Sequence, residues 1–169
     1  MDKSGKVETK DLGMDGLEKR LADLLGTYEG TWSVYVKDLT SDQEFEQNSQ
    51  SLYSASLIKV FVMAQTYANM DAVLQNEAAK MKKDVTDPSV STKVNDLLWN
   101  MITVSDNDSA NELVRKLGGG DFQAGAAIVN AFCQERSYTS THLGREFLAS
   151  DPTDDNYTSA SDCCRLLSD

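Results

Sequence analysis

The 169-residue sequence contains one histidine, two prolines and three cysteines. With His142 as the sole imidazole, a zinc site lacks ligands and a Ser-His-Asp triad has one source of base, so His142 is read as a loop residue. Cys133, Cys163 and Cys164 are odd in number and lack a C-x-x-C spacing, which argues against a disulfide framework or a zinc knuckle. Neighbouring residues on a helix point about 100° apart. Cys163 and Cys164 are therefore not expected to bond each other; packing or free thiols are expected, with a bridge to Cys133 left open. No apolar run reaches the roughly 18 residues of a membrane span, and Met1 to Ser4 is not followed by the apolar stretch of a signal peptide. Positive charge is scarce as well: 16 Lys+Arg face 27 Asp+Glu, a formal net charge of −11. Such a field opposes capture by phosphate backbones or anionic lipid, so neither nucleic acid nor a membrane surface is an expected partner. No cofactor or metal is expected.

What is present is a soluble globular composition, 40% hydrophobic and 25% charged. Residues 1–14 are polar and read as a flexible tail, leaving 15–169 as the folding region. Asp15 with Glu18 matches a capping pattern, and Leu17, Leu21, Leu24 and Leu25 recur at helical spacing through about residue 27. Alternation from Thr31 to Leu39, a Thr40-Ser41-Asp42 turn and a short strand at Glu44–Gln47 predict a β-hairpin. Leu57 to Ala64 is apolar nearly all round and predicts a buried helix that starts near Ser54–Ser56. Further helices are predicted over Asp71–Met81 and Ser91–Thr103, with Pro88 between them. Ser109 and Glu112 offer a capping box for another, stopped by Gly118-Gly119-Gly120, and Asp121 caps Ala124–Phe132. Gln134 to Tyr157 reads as a polar stretch and a last helix begins near Ser159. Two strands against this many helices, and a final apolar segment without a cap, predict an incomplete α+β domain.

Ser56 and Lys59 stand three apart where a polar segment enters the buried helix, on one face with their polar groups able to meet. A serine hydroxyl is a weak nucleophile until a base takes its proton, and a lysine desolvated among Leu57, Val60 and Phe61 can serve as that base. The structural alternative is that Ser56 caps the helix and Lys59 snorkels to solvent. Ser105-Asp106-Asn107 forms a second polar corner between two helices. There Ser105 can relay a proton and Asn107 can hold a substrate carbonyl or the lysine, unless the corner is an ordinary loop of cap residues.

Taken together, Tyr53-Ser54-Ala55-Ser56-Leu57-Ile58-Lys59 and, 49 residues from serine to serine, Val104-Ser105-Asp106-Asn107-Asp108-Ser109-Ala110-Asn111 resemble the active-site serine penicillin-recognising enzymes, class A β-lactamases in particular. Leu117-Gly118-Gly119-Gly120 and Asn156-Tyr157-Thr158-Ser159-Ala160-Ser161-Asp162 resemble that family's glycine stop and T-x-A-x-D helix start. The resemblance runs from about Leu17 to Leu167. It implies a β-lactamase/transpeptidase-like fold, represented by its helical region and N-terminal hairpin with the C-terminal strands missing. It also implies that Ser56 attacks a β-lactam or acyl-D-alanyl-D-alanine carbonyl, with Lys59 as general base, Ser105 as shuttle and Asn107 on the substrate amide. The backbone N–H of Ser56 would form half of the oxyanion hole. Enzymes of this kind act outside the cytoplasm, so a secreted, periplasmic or cell-surface location is expected.

Two departures from the family pattern shape the expectation. The K-[TS]-G strand does not follow the Ser-Asp-Asn corner, and the triplet occurs instead as Lys3-Ser4-Gly5 in the tail. The R-x-E-x-x-x-N loop, whose glutamate activates the hydrolytic water, is replaced by Leu143-Gly144-Arg145-Glu146-Phe147-Leu148. Glu146 is then the candidate for deacylation, displaced by one residue so that slow hydrolysis of the acyl-enzyme is expected. Asp151, Asp154 and Asp155 read as a solvated acidic loop. Against the enzyme stands a catalytically inactive remnant or binding module. A homo-oligomer, or a C-terminal segment supplied in trans, is a further expectation.

Overall fold

The structure, a computed structural model, describes residues 13–150 and 154–168. Lys3-Ser4-Gly5, residues 1–12 of the expected tail, and Asp151 lie outside the described residues. The chain divides into two compact units at Ser49/Gln50.

The first unit is a helix and a hairpin. Helix α1 (Gly13–Leu25) takes in Gly13 and Met14, so Asp15 lies inside the first turn. A carboxylate there complements the positive end of the helix dipole instead of capping it. Strands β1 (Val34–Lys37) and β2 (Glu44–Gln47) are antiparallel, with Val36 opposite Phe45. Asp38 builds the turn, accepting the Thr40 N–H at 2.8 Å and the Ser41 hydroxyl at 2.6 Å. The first strand is shorter than its alternation predicts, and Trp32 stands outside it, edge-on to Tyr28. Gln47 ties β2 to α1 by donating to the Glu18 carbonyl at 2.9 Å.

The second unit is helical. A 3-10 turn over Ala55–Ile58 leads into α2 (Lys59–Ala68), followed by α3 (Met70–Met81), α4 (Pro88–Thr103), α5 (Asn107–Leu117), α6 (Phe122–Glu135) and α7 (Ala160–Ser168). Aspartates start three of these helices. Asp87, with Pro88 at the first helical position, accepts from the Ser89 N–H; Asp106 accepts from Ser109; Asp121 accepts from Ala124. The expected Ser109 cap is therefore replaced by Asp106. Ser109 is buried in the first turn of α5, and its own N–H is the one that is capped.

Ile58, Phe61 and Val62 of the first two segments pack with Val94, Leu97 and Met101 of α4 and with Leu113 and Val114 of α5 in one core. Burying each such side chain contributes about 1.5–3 kcal/mol. Helices α5 and α6 approach so closely at Gly125 that a Cβ there would lie 1.8 Å from the Val114 carbonyl oxygen.

The stretch after α6 is more structured than its polarity predicts. Tyr138, Leu143 and Phe147 are buried in the core, and Tyr138 meets the rings of Phe61 and Phe132 edge-on, each at 5.7 Å. A second two-stranded sheet, absent from the sequence reading, pairs β3 (Leu52–Tyr53) with β4 (Tyr157–Thr158). This pairing delivers the chain to the Ser54 corner, where the Ser54 N–H donates to the Asn156 carbonyl at 2.9 Å. All three cysteines are free, and burial pushes the Cys133 thiol up to about 12, with Asp162 adding to the shift. Among the described residues no helix is long and apolar enough to cross a membrane.

Candidate active site

The β3 strand and the 3-10 turn present Ser56 at the surface, and the first residue of α2, Lys59, is buried with 2% of its surface exposed. Across from them, the α4–α5 corner carries Ser105, Asp106 and Asn107. Both corners adopt unusual backbone: Ala55 has φ 45° and Ser105 φ 58°. Left-handed geometry at a residue with a Cβ costs about 1–2 kcal/mol and persists where surrounding contacts impose it. At Ser105 those contacts include the lysine.

Lys59 Nζ donates to the Ser105 carbonyl oxygen at 2.6 Å, to Ser105 Oγ at 3.1 Å and to Asn107 Oδ1 at 2.8 Å. Ser105 Oγ in turn lies 2.8 Å from Ser56 Oγ. The structure thus brings together four residues singled out from the sequence, Ser56, Lys59, Ser105 and Asn107. The route from Lys59 to Ser56 runs through the Ser105 hydroxyl, in place of the direct contact that their three-residue spacing suggests. The snorkelling alternative for Lys59 is ruled out by its burial. The capping alternative fails for Ser56 because the turn begins one residue before it and Ser54 is the capping position.

Burial disfavours the ammonium form and lowers the Lys59 pKa below its ordinary value of 10.5; the nearby Asp106 carboxylate opposes this more weakly. Asp106 is held below the usual carboxylate range by the Ser109 side chain and backbone N–H, which bind its ionised form as the α5 cap. A cleft of about 440 Å³ opens over the cluster, lined by Tyr53, Ser56, Leu57, Lys59, Ile102 and Ser105 among others. The fourth side of Lys59 is an aromatic ring: the Phe147 centroid lies 5.0 Å from Nζ.

Glu146 is not brought to the cluster. Its carboxylate is paired with Arg115 Nη2 at 2.6 Å, and its side chain is 41% exposed. The cause is the main chain around it. Phe147 N–H donates to Asn111 Oδ1 at 2.9 Å, its carbonyl accepts from Asn111 Nδ2 at 3.3 Å, and the preceding N–H groups of Gly144 and Arg145 are held by Asn156 Oδ1. With both ends pinned, Phe147 turns inward and Glu146 turns to α5. Asp154 pairs with His142 and Asp155 with Arg145 at 2.8 Å, so neither reaches the cluster. His142 is a loop residue bridging Tyr157.

The residues missed from the sequence are Phe147, its amide clamp Asn111, and Asn156, which holds the main chain of Gly144 and Arg145. The available signal was a few apolar and aromatic residues, Tyr138, Leu143 and Phe147, spaced through a polar stretch. Among the described residues no group of three or more His, Cys, Asp or Glu could hold a metal ion.

Comparison with solved structures places the fold. A class A beta-lactamase of the last common ancestor of Gram-negative bacteria superposes with a TM-score of 0.64 at 23% identity, covering 89% of this chain and 62% of that one. Penicillin-binding protein D2 from Listeria monocytogenes, in its cefotaxime-bound form, gives 0.52 at 21% identity, covering 83% and 63%. The chain therefore has the β-lactamase/transpeptidase fold over its helical region and first hairpin, and spans less than two thirds of the length of these structures. No curated protein matches the chain in sequence. The profile of the beta-lactamase enzyme family matches residues 16–169, and the chain belongs to that family.

Proposed function

We propose that the protein is a serine hydrolase that takes an acyl group from a β-lactam or a D-alanyl-D-alanine-type peptide onto Ser56. The observation that carries this reading is the unbroken contact from an exposed hydroxyl, through a second hydroxyl, to a buried amine with a lowered pKa. Neutral Lys59 accepts the proton of Ser105, Ser105 accepts that of Ser56, and Ser56 Oγ bonds to the carbonyl carbon as the carbon–nitrogen bond breaks. The proton returns along the same path to the leaving nitrogen. The Ser56 N–H, at the start of a helical segment, serves as one donor to the oxyanion, worth about 3 kcal/mol when well placed. Asn107 spends its Oδ1 on Lys59, which leaves its amide nitrogen to bind the substrate amide. The substrate is thus a small molecule or a cell-wall peptide, and the site of action is secreted, periplasmic or at the cell surface.

The test is incubation with a fluorescent penicillin followed by intact mass and peptide mapping. The expected result is a covalent adduct on the Ser56 peptide that disappears in Ser56→Ala. A folded wild-type chain that takes up no label would instead indicate a binding module without chemistry.

A further inference from the structure

Hydrolysis of an ester on Ser56 needs more than the acylation machinery. A water oxygen must bond to the acyl carbon while the carbon–Oγ bond breaks, one water proton must pass to a base, and Ser56 Oγ must regain a proton. On the loop side of the site no group that could accept the water proton is open to a water molecule. Lys59 is surrounded by the Ser105 carbonyl, Ser105 Oγ, Asn107 Oδ1 and the Phe147 ring, and 2% of its surface is exposed. Glu146 is paired with Arg115, and Asp106 is the α5 cap. No other carboxylate among the described residues hydrogen-bonds to Lys59, Ser105 or Ser56.

The loop is fixed in this arrangement at three consecutive residues. Arg145 is held by Asp155 and Asn156, Glu146 by Arg115, and the Phe147 main chain by both ends of the buried Asn111 amide. Shifting the loop by one residue, so that Glu146 took the inward place, would break the Asn111 pair to the Phe147 main chain and put a charge where an aromatic ring now fills the core.

We propose that Phe147 closes the loop side of Lys59 to water, so that the protein retains the acyl group on Ser56 and behaves as a slow-release acyl acceptor. This rests on the acyl-enzyme reading above. Phe147 is a positioning residue: it acts by excluding water from Lys59 and has no bond to the reacting atoms.

The experiment follows the lifetime of the Ser56 adduct by intact mass after excess penicillin is removed. The wild-type adduct is expected to outlast its formation by orders of magnitude. Phe147→Glu, which supplies a carboxylate beside Lys59, is expected to shorten the lifetime by about 10²-fold, the lower range for a positioned general base. Glu146→Gln is expected to leave the lifetime where it is. Rapid wild-type turnover, a longer lifetime in Glu146→Gln, or a folded Phe147→Glu that releases no faster would each overturn the inference. Where Phe147→Glu does not fold, Phe147→Ala takes its place: it opens the loop side of Lys59 to water and is expected to shorten the adduct lifetime, and an unchanged lifetime overturns the inference. Failure to form any adduct is a different result, and counts against the acyl-enzyme reading itself.

Discussion

Lys59 and Lys116 are both buried in the helical unit, at 2% and 4% exposure, and their surroundings are opposite in kind. Lys116 contacts two carboxylates, the equally buried Glu77 and, at 2.7 Å, Glu112, which also binds Lys80. Lys59 contacts a carbonyl, a hydroxyl and an amide oxygen, all neutral, plus an aromatic face. A buried ammonium beside two anions has its charge compensated by ion pairs. One whose contacts are dipoles, with the Asp106 carboxylate acting more weakly than burial, has its pKa lowered, and the neutral amine so made easier to form can take a proton. The first arrangement holds α3 to α5; the second is available for chemistry.

Substituting each lysine by methionine breaks this contrast in two directions. Lys59→Met should lower the rate of adduct formation by about 10²–10⁴-fold, the usual worth of a general base, while stability in urea stays equal to wild type or rises. Lys116→Met should do the reverse. It strands the Glu77 carboxylate in the core, at a cost of about 3–5 kcal/mol in the same unfolding experiment. If both variants lost stability equally, the two lysines would be equivalent structural ions and the distinction would fall.

A smaller effect sharpens the picture of the loop. Asn111→Ala removes both hydrogen bonds to the Phe147 main chain and leaves a buried N–H and C=O without partners, costing about 1–3 kcal/mol. Amide hydrogen exchange should then accelerate in residues 144–148 and remain slow in the α2 and α4 core. Uniform acceleration would mean that the clamp has no local role.

The residues that make the site were legible where short-range spacing decides geometry. Ser56 and Lys59 are one helical turn apart, and Ser105 and Asn107 share one corner. Their meeting across 49 residues followed from the family resemblance, not from spacing. Most helices were legible for the same local reason, with boundary errors where several cap residues compete: Asp106, not Ser109, caps α5, since its side chain reaches the Ser109 N–H at 2.7 Å. What escaped the sequence was set by long-range partners. The β3–β4 pairing joins two-residue strands that are too short to show alternation. The Lys116–Glu77 pair joins residues 39 apart on different helices. Glu146 carried the chemistry expected of the loop, but the Asn111 clamp on its neighbour decides that Phe147 faces the lysine.

Titration of Lys59 Nζ, followed by nuclear magnetic resonance through the Cε–Nζ pair, tests directly whether burial has lowered the pKa of this amine. The expected result is a pKa below the ordinary 10.5, and an adduct-formation rate that rises with pH through that same point because the deprotonated amine is the reactive form. A Lys59 that titrates at or above 10.5, or a rate that falls as the amine loses its proton, would contradict it.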